Sequence, residues 1–209
     1  MDLSMAADNR SSSEKAVKES FMNGLQVFET LYRFPKPIIA RINGPCLGGG
    51  VGLVFTTDIR IAYQDAYFAL TEVKRGIIPA IISQYVVPEL GPQKAREYML
   101  TGRRANVREI SNCLSYVANS IDELDDQVVS YANMLLESAP GAMTDIKRLI
   151  SIIQSGGDTN SAIRIREVVQ KSYLNMMQSE EAAYGIMAFV SKRPADWSSF
   201  VEENNKSKL

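Results

Sequence analysis

Pro37-Ile38-Ile39-Ala40-Arg41-Ile42-Asn43-Gly44-Pro45-Cys46-Leu47-Gly48-Gly49-Gly50-Val51-Gly52-Leu53 is the stretch on which the fold turns. Its apolar, β-branched opening over 38–42 reads as a strand, and Asn43-Gly44-Pro45 reads as a turn. Val51-Gly52-Leu53-Val54-Phe55 is compatible with a helix. Three consecutive glycines therefore stand between a strand and a helix. Glycine lets backbone approach a ligand closely and take angles that other residues avoid. A helix N-terminus adds unpaired N–H groups and a partial positive charge. The combination suits an anion, or an oxygen that becomes one during a reaction. Phosphate readings fail on the residues present. A P-loop needs Lys-Ser/Thr after its last glycine, where this chain has Val51-Gly52, and a dinucleotide fingerprint needs glycine where Leu53 stands. Two readings stay open: an oxyanion hole for an acyl group, and a tight strand-to-helix turn packed on a core.

The chain has 209 residues, 45% of them apolar, enough to bury a sizeable core as one domain. A net charge of −1 makes no electrostatic case for nucleic acid or a membrane surface as partner. No apolar run approaches the roughly 18 residues that span a bilayer, and no secretory signal is expected. Cys46 and Cys113 lack metal-ligand spacing and read as free buried thiols, with no metal site expected. Histidine is absent, which removes Ser-His-Asp, Cys-His and most zinc chemistries. Acid–base work then falls to carboxylates, Tyr or Lys. The sequence ends Ser207-Lys208-Leu209, which at an exposed C-terminus is a peroxisomal address read by the import receptor.

Ser13 can cap a helix running to about Arg33, with Val17, Phe21, Leu25, Phe28 and Tyr32 on one face, and Phe34-Pro35-Lys36-Pro37 stops it. Strands are expected over 38–42, 58–63 and 66–70, with the glycine-led helix reaching Thr57. That order implies parallel pairing with crossovers. From residue 83 onward the pattern is helical, with segments over 92–100, 106–112, 121–138, 141–154, 160–177 and 179–192. Pro92 suits a first helical position and Gly102 a stop. The expected division is an α/β core over 1–137, a helical oligomerisation region over 138–195 and a polar tail over 196–209.

Motifs in one order carry a resemblance over residues 1 to about 195. They are Met1-Asp2-Leu3, Pro37-Ile38-Ile39-Ala40, Asn43-Gly44, Leu47-Gly48-Gly49-Gly50, Asp58-Ile59-Arg60-Ile61-Ala62, Phe68-Ala69-Leu70-Thr71-Glu72, Gly76-Ile77-Ile78-Pro79, Leu100-Thr101-Gly102-Arg103 and Ala188-Phe189-Val190-Ser191-Lys192-Arg193. With these the chain resembles the enoyl-CoA hydratase/isomerase (crotonase) superfamily. The resemblance implies a ββα spiral with a C-terminal helical region, an acyl-CoA thioester substrate, no cofactor beyond the coenzyme A that is part of that substrate, and a homotrimer or hexamer. It also implies that the chain starts late, without the spiral's first strands. Met1 falls at the family position whose N–H is one of two oxyanion donors.

The resemblance places the second oxyanion donor at the N–H of Gly49, with Gly48 and Gly50 kept small beside the thioester. Many hydratases of the superfamily use two glutamates. One corresponds to Gly52 here and the other to Glu72, so one carboxyl is retained as the candidate acid/base. The run Thr71-Glu72-Val73-Lys74-Arg75-Gly76-Ile77-Ile78-Pro79-Ala80-Ile81-Ile82-Ser83 is similar to the methylglutaconyl-CoA hydratase-like branch. Bulky residues after Pro79, Ile81 among them, imply an acyl pocket reshaped for a branched or β-substituted group. Phe189 and Lys192 match positions that approach the adenine and phosphate end of CoA. The implied activity is reversible hydration or dehydration of a branched 2-enoyl-CoA. Isomerisation, decarboxylation or a catalytically impaired partner subunit are the alternatives.

Overall fold

The computed structural model describes residues 14–154 and 161–201. Packing divides the chain into two units. One takes in residues up to Phe34 and Ile38–Val128, the other Pro35–Pro37 and the chain from Val129 onward.

In the first unit, α1 (Glu14–Tyr32) precedes a three-stranded parallel sheet built from β1 (Ile39–Ile42), β3 (Ile59–Tyr63) and β6 (Tyr116–Ala118), in the order β1-β3-β6. The register sets Ile39 opposite Ile59 and Ile61 opposite Tyr116. Central β3 buries Ile61 and Ala62 completely, as a strand covered on both faces must. The Asp58 carboxylate accepts from Ile38 N–H at 2.7 Å and sets where the β1–β3 pairing starts. Arg41, the one charge in β1, points outward to Asp125 of α5 (Ile121–Leu136). A second sheet pairs β2 (Cys46–Leu47) parallel with β4 (Tyr67–Ala69), and β4 antiparallel with β5 (Arg104–Asn106).

Between the sheets' strands lie α2 (Gly49–Phe55), a 3₁₀ turn (Thr71–Arg75), α3 (Ala80–Leu90) and α4 (Pro92–Thr101). Pro92 opens α4 and Gly102, at φ 58°, ends it, as expected from the sequence. The core joins Val51 and Phe55 of α2 to Phe68, Leu70, Ile82, Val86, Tyr98 and Ile110. The Phe55 and Phe68 rings meet edge-on at 6.5 Å.

Two expectations need correction. The helix expected over 106–112 is absent. Instead β5 ends at Asn106, whose side-chain oxygen accepts from the N–H groups of Arg108 and Glu109 in a turn, and a short 3₁₀ segment follows at Ser111–Cys113. The all-helical reading from residue 83 also missed β6. Three-residue strands carry too little periodicity to be seen locally, and cross-strand partners far away in sequence decide them.

The second unit holds the end of α5 and α6 (Pro140–Gln154), α7 (Ser161–Met177) and α8 (Glu180–Val190). Glu181 accepts from the Gly141 and Ala142 N–H groups at 2.8 Å each, capping α6 from α8. The Trp197 ring meets Tyr184 edge-on and Phe200 at a tilt, and its indole N–H donates to the Glu137 carbonyl. The helical faces carry much exposed apolar surface, including Ile163, Tyr173, Met187, Phe189 and Val190. The sequence division near 137 lies just past the end of α5, whereas the packing division lies inside it. No helix among the described residues is long and apolar enough to cross a membrane.

Candidate active site

The glycine run is the turn from β2 into α2. Gly48 sits at φ 49°, ψ −118° and donates its N–H to the Ala69 carbonyl at 3.0 Å, tying the turn to the end of β4. That φ lies in the region glycine tolerates and side chains avoid. A Cβ on Gly48 would lie 3.2 Å from Oε1 of Glu72. The absent side chain is what allows the Glu72 carboxyl to lie against the backbone.

Gly49 and Gly50 open α2, and neither N–H has an acceptor among the described residues. The space where their side chains would stand is empty. Both therefore face open space rather than packing. At Gly49 and Gly50 the turn is open, whereas Val51, Gly52 and Phe55 just behind it are buried in the core.

Glu72 stands in the first turn of the 3₁₀ segment that β4 leads into. Arg75 holds that segment by donating to the carbonyl and hydroxyl of Thr71, and Gly76, at φ 70°, closes it. The Glu72 Oε2 atom is buried and has no hydrogen-bond partner. A buried polar atom without a partner is uncommon and marks a place where a ligand or water belongs.

The remaining predicted residues are dispersed. Pro79 stands at the N-cap of α3, and Ile81 turns its Cδ1 towards Gly24 of α1. Gly52 is buried against α3. Phe189 and Lys192 belong to the second unit; Phe189 is 84% exposed. Lys192 has φ 54° although it is not glycine. Its N–H donates to Phe189 O and the Arg193 N–H to Ala188 O, the paired bonds that end a helix through a left-handed residue. Met1, Ser207, Lys208 and Leu209 lie outside the described residues. No group of three or more potential metal ligands occurs among the described residues.

Sequence reasoning missed Arg60, which buries its guanidinium below the site. It donates to the carbonyls of Val54, Thr57 and Cys113 and to Glu89, over the face of Phe55. The signal was present: a single charge inside the apolar run Ile59-Arg60-Ile61-Ala62. By gathering carbonyls at and beyond the C-terminal end of α2, Arg60 anchors the helix whose other end presents Gly49.

Residues 1–200 match the enoyl-CoA hydratase/isomerase family. The enoyl-CoA hydratase AKT6-1 of Alternaria alternata is 33% identical over 166 residues, 78% of this chain and 54% of that protein. The carnitinyl-CoA dehydratase of Proteus mirabilis is 34% identical over 172 residues, 80% of this chain and 65% of that one. The chain thus spans between half and two thirds of these relatives' length. Among solved structures, an enoyl-CoA hydratase from Shewanella pealeana superposes with a TM-score of 0.82 at 29% identity, covering 94% of this chain and 72% of that one. Pseudomonas aeruginosa AtuE superposes with 0.83 at 27%, covering 94% and 76%. With these matches falling on the segment that carries the glycine turn and Glu72, the chain belongs to the enoyl-CoA hydratase/isomerase family.

Proposed function

We propose that the protein hydrates and dehydrates a branched or β-substituted acyl-CoA thioester, with Glu72 as the single acid/base and the Gly49 N–H as an oxyanion donor. The observation that carries this is the pairing of an unpartnered, buried carboxyl oxygen with a free helix-terminal N–H across Gly48. The thioester oxygen gains charge as the α-proton leaves, and a preorganised donor there contributes on the order of 3 kcal/mol. Coenzyme A enters as part of the substrate and no cofactor is called for. Isomerisation or decarboxylation on the same scaffold would use the same enolate.

The apolar faces of α7 and α8 fit assembly into a trimer or hexamer. The terminal Ser207-Lys208-Leu209 supports peroxisomal residence. The test is to assay the full-length protein on branched enoyl-CoA and 3-hydroxyacyl-CoA esters, and to image a tagged chain with and without its last three residues. Hydration bleaches the conjugated thioester absorbance. Isomerisation shifts the double bond without adding water, and an inactive partner subunit does neither. An unmoved tag on the truncated chain defeats the targeting claim.

Lys192 offers a separate readout. A left-handed non-glycine residue is strained by roughly 1 kcal/mol, so Lys192→Gly should raise stability by about 0.5 kcal/mol or more. If the ammonium holds a CoA phosphate, the same change should raise KM about tenfold, the equivalent of 1.4 kcal/mol, with kcat little altered. A more stable variant with unchanged KM removes Lys192 from the binding site.

A further inference from the structure

By the resemblance Gly52 falls where two-carboxyl hydratases carry their second glutamate, and the room a side chain would need there is taken. A Cβ on Gly52 would lie 2.3 Å from Cγ2 and 2.7 Å from Cβ of Ile82, and 2.9 Å from Cε1 of Phe28. The Ile82 Cβ is bonded to the backbone of α3, so no rotamer change clears it. Ile82 is itself 4% exposed within the core. Phe28 is stacked on Tyr85 at 6.0 Å, and Tyr85 is met by Tyr32 at 5.2 Å, so the ring is braced on its Tyr85 side. The aromatic cluster and α3 together hold the plug in place.

We propose that Ile82, backed by Phe28, is the residue that confines this site to one-carboxyl chemistry: it fills the volume of a second acid–base side chain, and Glu72 performs both proton transfers. The inference rests on the acyl-CoA reading above and narrows it. In dehydration the Cα–H bond breaks and its proton passes to a Glu72 carboxyl oxygen. The electron pair moves onto the thioester oxygen beside Gly49. The enolate then collapses, the Cα–Cβ double bond forms and the Cβ–O bond breaks. The departing hydroxide takes the same proton from Glu72 and leaves as water. Substrates must therefore offer the α-hydrogen and the β-oxygen on one face, within reach of one carboxyl.

The test combines substitutions. Gly52→Glu alone should lower the thermal midpoint by about 10 °C or more. Where it fails to fold, Gly52→Ala replaces it. With Ile82→Ala added, the combined loss should be smaller than the sum of the two single losses, because the second change vacates the space that the first one needs. In a Glu72→Gln background, Gly52→Glu should raise turnover at least tenfold when Ile82→Ala is present and not otherwise. Additive losses, or rescue with Ile82 intact, or no rescue once Ile82 is cut back, each overturn the proposal. A wild-type protein inert towards every thioester would sink the acyl-CoA reading instead, and the additivity measurement would still decide whether Ile82 fills this place.

Discussion

Glu72→Gln should reduce turnover of a branched 3-hydroxyacyl- or enoyl-CoA by about a hundredfold or more, since losing a positioned acid/base removes that much or up to ten-thousandfold. KM should stay within about threefold, because no substrate-binding contact is removed and chemistry alone is impaired. The amide keeps the shape that lies 3.2 Å from where a Gly48 Cβ would stand, so the packing of the turn survives. The thermal midpoint should accordingly move by no more than about 2 °C. A loss of activity with an intact fold is the signature of a residue retained for chemistry, and the unpartnered Oε2 already points that way, since its burial does nothing for stability. If the variant kept more than about a tenth of the wild-type rate, Glu72 could not be the only acid/base.

Much of this site could be read without coordinates, for local reasons. Glycine and proline punctuate chains strongly, so Asn43-Gly44-Pro45 gave away the turn out of β1 and Gly48-Gly49-Gly50 the turn into α2. Helix ends at Pro92 and Gly102 were legible in the same way. What escaped was set by distant partners. The strand β6 exists because Ile61, Ala62 and Tyr63 pair with it, more than fifty residues earlier in the chain. The plug over Gly52 was invisible because a glycine says that a side chain is absent, not what stands in its place. Ile82 and Phe28 lie 30 and 24 residues away, and only their packing reveals why the second carboxyl has no room. Arg60 was seen as part of a motif and not as a clamp, since its acceptors come from three separate segments.

That clamp carries a large stability effect of its own. Arg60→Ala should destabilise the protein by about 3 kcal/mol, the lower end of the 3–5 kcal/mol seen when one member of a buried ion pair is removed. The discount reflects Glu89, whose side chain keeps 29% of its exposure and can be rehydrated, whereas Arg60 keeps only 9%. The carbonyls of Val54, Thr57 and Cys113 lose their donors at the same time, at 3.2, 2.9 and 3.0 Å in the intact protein. Phe55 also loses the cation over its ring. For a chain of this size the midpoint should fall by roughly 6–12 °C. Arg60→Lys should recover less than half of the loss, because an ammonium cannot reach three directions in one plane as a guanidinium does. Removing Glu89 as well should soften the loss from Arg60→Ala, since no unpaired carboxylate is then left behind. Turnover per folded molecule should also drop, as the clamp secures the C-terminal end of the helix whose N-terminus presents Gly49. A loss below about 1 kcal/mol in denaturant titration would mean that water replaces the guanidinium, and that α2 is held by the packing of Val51 and Phe55 alone.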